Sequence, residues 1–151
     1  MTLIFKAAGL GILFICCSAA GFLKSSALKK RADKLSCFIK NLQELSERIR
    51  SGEGEIKQLC SICFEKNLGE FENGRFSFSK DFLTKEDISL LSEFFENLGM
   101  RDSLREYERC MLYKKLIENK QSDAEGDFRS LSGLYNTLGV LCGVFLIIIL
   151  L

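Results

Sequence analysis

The sequence predicts an all-α protein, a helical bundle in the cytoplasm flanked by N- and C-terminal transmembrane helices. Three observations predict it. Both ends of the 151-residue chain are apolar, while almost all charge lies between them. There is no proline to interrupt a helix or force a turn. Through the charged middle, apolar residues return at intervals of three and four, the period of a helix buried along one face. The expected organisation is a transmembrane helix over residues 1–23, a cytoplasmic helical bundle over 24–130 and a transmembrane helix over 131–151.

The C-terminal segment carries the clearer signal. From Leu134 onward no residue is charged, and the run closes on Phe145-Leu-Ile-Ile-Ile-Leu-Leu151. Roughly 17–25 apolar residues in a helix cross a bilayer core, so the chain is expected to end inside or just across a membrane. A single lipid-exposed segment can satisfy its backbone donors only as a helix. Tyr135 sits where an interfacial aromatic anchor belongs. Gly139-x-x-x-Gly143 offers a small-residue face for close helix packing, or reflects the ordinary glycine enrichment of membrane helices.

The first apolar run, Leu3 to Leu23, contains only Lys6, near an end from which a lysine can reach the headgroups. A cleaved signal peptide also has a basic start, an apolar centre and small residues such as Ser18-Ala19-Ala20. The length of the run, and its direct continuation as an amphipathic helix, favour a retained span. Cleavage would instead leave a secreted chain with one tail anchor. Lys24, Lys29, Lys30, Arg31 and Lys34 follow the first span against Asp33 alone. That excess of positive charge puts the middle of the chain in the cytoplasm, with both termini on the other side. The same lysines suit anionic lipid headgroups.

Leu35, Phe38, Leu42, Leu45 and Ile49 form the apolar stripe of the first bundle helix. Ser51-Gly-Glu-Gly54 ends it, since two glycines cost about 2 kcal/mol relative to alanine. Ile56, Leu59, Cys60, Cys63 and Phe64 restart the period. Leu68 to Arg75, with its Asn-Gly pair, reads as a loop or a short hairpin that tucks Phe71, Phe76 and Phe78 onto the bundle. Thr84-Lys-Glu-Asp87 is a capping-box start for a helix that turns Ile88, Leu91, Phe94, Phe95 and Leu98 inward. Gly99 can end that helix in a left-handed conformation, and Asp102 or Ser103 caps the next. Leu104, Tyr107, Met111 and Leu112 are expected to continue the apolar pattern. Glu118 to Asp127 is either a loop or a charged helix, with Gly126 the expected irregularity.

Several function classes fall away. A net charge of +1 does not suit nucleic-acid binding. With no histidine, no phosphate-cradling glycine loop and no arguable carboxylate pair, no enzyme activity and no cofactor is expected. Of seven cysteines, Cys16, Cys17 and Cys142 lie in the apolar ends. Cys60-x-x-Cys63 is the one motif-like pair, and Cys37 and Cys110 fall in mid-helix, a poor arrangement for zinc. They read as free cysteines of a reducing compartment, with no metal. The alternative is a small membrane-anchored thiol or zinc protein using Cys60 and Cys63. The candidate partner-binding residues are Gly99, Arg101, Asp102 and Glu106, where a helix-loop-helix corner presents backbone and charge together. Gly99 and Asp102 also end and cap helices; Arg101 and Glu106 have no such duty in this reading. Gly139 and Gly143 are the candidates for packing within the membrane.

Two terminal spans, a leading amphipathic helix, the central Phe94-x-x-x-Leu98-Gly99-x-x-Asp102 and the closing Leu138-Gly139-Val-Leu-Cys-Gly143 together resemble the stage III sporulation protein AB (SpoIIIAB) family. The chain departs from the family pattern at Leu104-Arg-Glu-Tyr107, where a glutamine is expected, and at Ser51-Gly-Glu-Gly54, where a proline turn is expected. The resemblance implies a membrane scaffold of the sporulation channel between mother cell and forespore. It implies a cytosolic domain similar to the platform subunit GspF of type II secretion systems. The implied partners are a secretion-type ATPase (SpoIIIAA-like), other channel membrane proteins and the lipid bilayer.

Overall fold

The computed structural model describes residues 2–65, 68–72, 75–100 and 102–150; the side chains of residues 2–8, 10, 71, 72, 75 and 150 lie outside the description. Helix α1 runs Thr2–Ser51, α2 Ile56–Phe64, strands β1 Gly69–Glu72 and β2 Arg75–Phe78 follow, then α3 Lys85–Glu96 and α4 Ser103–Leu150. The chain forms two compact units, one of Met1–Lys30 with Ala124–Leu151, the other of Arg31–Asp123. Both junctions fall inside a continuous helix.

In the Arg31–Asp123 unit the predicted stripe of α1 is the core: Leu35, Phe38, Leu42, Leu45 and Ile49 are all buried. The helix stops where Gly52 adopts φ 72°. Gly52 N–H then donates to Ile49 O and Glu53 N–H to Arg48 O, the two bonds of a Schellman motif. Leu59, Cys60, Cys63 and Phe64 bury one face of α2.

The segment after α2 is a hairpin rather than a loop. Its strands pair antiparallel, with Gly69 opposite Phe78 and Glu72 opposite Arg75. At Gly69 a Cβ would stand 2.0 Å from Ser77 O, so no side chain fits. Phe76 and Phe78 project into the bundle, where Phe76 lies 4.3 Å from Phe95 and Phe78 meets Phe38 edge-on at 5.8 Å. Such tilted and edge-to-face contacts suit aromatic rings. The expected place of Phe71 lies outside the described side chains.

Thr84 begins α3 with both halves of a capping box: its Oγ1 accepts from Asp87 N–H, and Asp87 Oδ2 accepts from Thr84 N–H. Helix α4 corrects two expectations. The Glu118–Asp127 stretch is helical throughout, with no break at Gly126. The buried face is also shifted: Leu104, Met111 and Leu112 are exposed, and Glu106, Arg109, Cys110, Tyr113 and Ile117 are buried instead. The shift serves the end of α3, whose last carbonyls need donors. Arg109 supplies them, giving N–H groups to Phe94 O and Asn97 O.

In the other unit, α1 and α4 each contain a stretch long and apolar enough to cross a membrane, with mean hydropathy 1.6 and 1.9. Only 6% of each stretch is buried, unlike a core helix of a soluble protein. Ile12, Ile15, Phe22, Leu141, Phe145 and Ile148 are all exposed. In water such a surface would not be tolerated; in lipid it is the expected one.

Candidate functional site

The corner between α3 and α4 lies at the end of the bundle where α1 also turns back. Gly99 takes φ 74° there, and a Cβ on it would stand 3.5 Å from Lys57 Cγ. The left-handed backbone, rather than crowding, is what calls for glycine. Asp102 is exposed, and its carbonyl accepts from Glu106 N–H at 2.9 Å, so it occupies the cap position of α4. Its Oδ1 lies 3.6 Å from Arg105 Nε, an exposed pair of small worth. Met100 and Leu104 beside it are 76% and 68% exposed. Arg101 lies outside the described residues.

Glu106 does not belong to this surface. Its side chain is fully buried, 3.4 Å from Arg109 Nε, and neither carboxylate oxygen accepts a hydrogen bond among the described residues. The guanidinium of Arg109 stacks 5.0 Å over the Phe94 ring and 5.6 Å from that of Tyr113. Glu106 is thus the counter-charge of an internal arginine and cannot meet a partner. Sequence periodicity missed Arg109, since a buried cation breaks the apolar pattern by which cores are recognised. The arginine three residues after Glu106 was the available signal.

Within the unit of Met1–Lys30 and Ala124–Leu151, Gly139 and Gly143 both face the first helix of the same chain. A Cβ at Gly139 would stand 3.0 Å from Cys17 O, and one at Gly143 would stand 2.6 Å from Phe14 Cδ2. The third member is Gly21, where a Cβ would meet Tyr135 O at 2.5 Å and Gly139 Cα at 3.3 Å. Gly21 and Gly139 therefore let two backbones touch, as small residues do in lipid, and Gly143 makes room for the Phe14 ring. Gly21 ends the run Ser18-Ala-Ala-Gly21, whose small residues were readable, but its opposite number was not.

The thiols offer little chemistry. Burial pushes Cys63 up to about 11 and Cys110 up to about 12, and drives the fully buried Cys60 higher still. Thiolate, the reactive and metal-binding form, is therefore scarce at neutral pH. Among the described residues no three histidine, cysteine or acidic groups stand close enough to hold a metal ion.

No curated protein and no solved structure matches the chain. Stage III sporulation protein AB, as a family, matches residues 72–151, more than half of the chain, from the last residue of β1 through α3 and α4, and to that family the chain belongs.

Proposed function

We propose that the chain is a membrane scaffold of the sporulation channel between mother cell and forespore, and that its bundle docks a cytosolic secretion-type ATPase. The observation that carries the reading is the α3–α4 corner. Met100 and Leu104 stand open to solvent on either side of the charged Asp102, at the end of the bundle opposite the residues that lead to the spans. Exposed methionine and leucine beside charge have the make-up of a protein interface. The lysine-rich exit of the first span supports a bundle in the cytoplasm, where a motor could reach it. The role is structural rather than catalytic.

The test is co-purification of the full chain with the sporulation ATPase in mild detergent, together with a cytoplasm-only reporter fused at Ser77. Leu104→Glu is expected to weaken recovery of the ATPase by at least about tenfold, as loss of an interface anchor does, with helical content unchanged. Unchanged recovery removes the corner from the interface. A silent reporter places the bundle outside the cytoplasm and ends the motor reading altogether.

A further inference from the structure

Helices α3 and α4 lie antiparallel, for Lys120 of α4 meets Glu86 in the first turn of α3, while Arg109 meets the last carbonyls of α3. Between them runs a surface groove of about 470 Å³. Leu90 and Leu116 form its apolar floor, and Leu116 is 39% exposed. Leu112, one turn earlier on α4, extends the apolar strip and is 57% exposed. Two packed helices leave a furrow of this kind, into which the ridge of a third helix fits.

The walls of the groove are acidic. Glu86 and Glu93 edge it on α3, and Asp123 edges it on α4. Lys120, the cation that lines it, is engaged with Glu86 at 2.5 Å. Elsewhere on the bundle, exposed acids hold cations of their own: Glu44 and Glu53 share Arg48, and Glu118 lies 3.8 Å from Lys114. Among the described residues neither Glu93 nor Asp123 forms an ion pair. The residues three and four places from Glu93 are Ser89, Leu90, Glu96 and Asn97, so no neighbour on its helix can neutralise it. Asp123 has Lys120, already engaged, and otherwise Asn119, Gly126 and Asp127. Lys85 and Lys115 belong to the same two helices but do not line the groove.

These features select an occupant. Open leucines on the floor call for large apolar side chains, and unneutralised carboxylates on both walls call for lysine or arginine beside them. Glu86 and Glu93 stand two helical turns apart, about 10 Å, which matches a short helix presenting one face. The same charges reject other occupants. Anionic lipid and acidic segments are repelled, and a second copy laying its own groove here would set carboxylate against carboxylate.

We propose that the α3–α4 groove binds a basic amphipathic helix of a partner protein, its apolar residues on Leu90 and Leu116 and its cations against Glu93 and Asp123. The groove is distinct from the Gly99 corner, which lies beyond the other end of α3, and its occupancy does not rest on docking of a motor there.

Ser89 and Asn119 are exposed on the groove walls. Each in turn is replaced by the photoreactive residue benzoylphenylalanine in the full-length chain, which is irradiated in sporulating cells. Mass spectrometry of the adducts is expected to map both positions to one segment, net basic and with large apolar residues at helical spacing. Adding Glu93→Lys and Asp123→Lys should lower the adduct yield at least about tenfold, since like charges set against each other suppress association. Far-UV circular dichroism confirms that each purified variant is folded. Adducts with phospholipid, with an acidic segment or with another copy of this chain overturn the proposal. So does the absence of adducts at both positions, or a yield indifferent to the two charge reversals.

Discussion

Arg31 holds Asp87 through two hydrogen bonds, from Nε at 2.8 Å and from Nη2 at 3.1 Å, across 56 residues of sequence. The same carboxylate closes the capping box at Thr84. One buried acid therefore starts α3 and pins it to α1. Lys120 adds a further tie from α4 to Glu86 in the first turn. The N-terminus of α3 is where the helices of the bundle are fastened together by charge.

Asp87→Ala should cost roughly 2–4 kcal/mol, since it removes a fully buried, charge-assisted tie between α3 and Arg31 of α1 as well as the cap. Chemical unfolding of the variant and the parent gives the difference; a loss below about 1 kcal/mol would be that of a surface pair.

The same residue sets an acid dependence. Burial alone would raise the Asp87 carboxyl, but hydrogen bonds from Arg31 and Thr84 outweigh it and hold the group below its ordinary 3.8. A carboxyl lowered by folding stabilises in full above its unfolded value, and that contribution vanishes as pH falls through the lower folded value. Melting followed from neutral pH downward should therefore hold near its plateau until about pH 4 and fall below it. Asp87→Asn should start lower and lose less over the same acid range. Parallel curves for the two proteins would show that other carboxylates govern the acid loss.

Of the buried pair in α4, Arg109 should matter far more than Glu106. Arg109 satisfies two carbonyls at the end of α3 and covers two rings, whereas the Glu106 oxygens accept no hydrogen bond among the described residues. Arg109→Met should cost roughly 3–5 kcal/mol, by orphaning both carbonyls and the acid. Glu106→Gln, which keeps the shape and removes the charge, should cost less than half as much. Equilibrium unfolding ranks them, and equal losses would mean that the ion pair itself carries the energy.

Gly21→Leu should part the two membrane helices without melting the bundle. Overpacking of this kind typically costs about 1–3 kcal/mol, and the obstacle here is the backbone oxygen of Tyr135, which no side-chain rotation can clear. The midpoint of unfolding by sodium dodecyl sulfate in mixed micelles should fall, while near-ultraviolet signals from the aromatic core stay. An unchanged midpoint would show that the helices do not rely on this contact.

Much of this was written in the sequence in local form. The stripe from Leu35 to Ile49, the Thr84–Asp87 box and the Gly99 stop each depend on a few neighbouring residues, so periodicity and capping rules reach them. The hairpin stood as one of two readings, because its strands are only four residues each and Gly69 is needed for a contact with Ser77 that composition does not reveal. The α4 face was misjudged for a physical reason: Leu104 and Met111 look like core, while Glu106 and Arg109 do not, and the choice was made by the carbonyls of α3. Gly21 pairs with Gly139 across more than a hundred residues, a match only the folded chain supplies.

The Arg109 clasp also orders events during synthesis. Helices α1 and α2, the hairpin and α3 all leave the ribosome before residue 109, at a synthesis rate of roughly 5–20 residues per second. Until Arg109 emerges, the carbonyls of Phe94 and Asn97 lack the donors that hold them in the finished bundle. The bundle of the nascent chain thus stays incomplete until α4 has begun to emerge, and the last helix to be translated carries the fastening that locks the earlier ones.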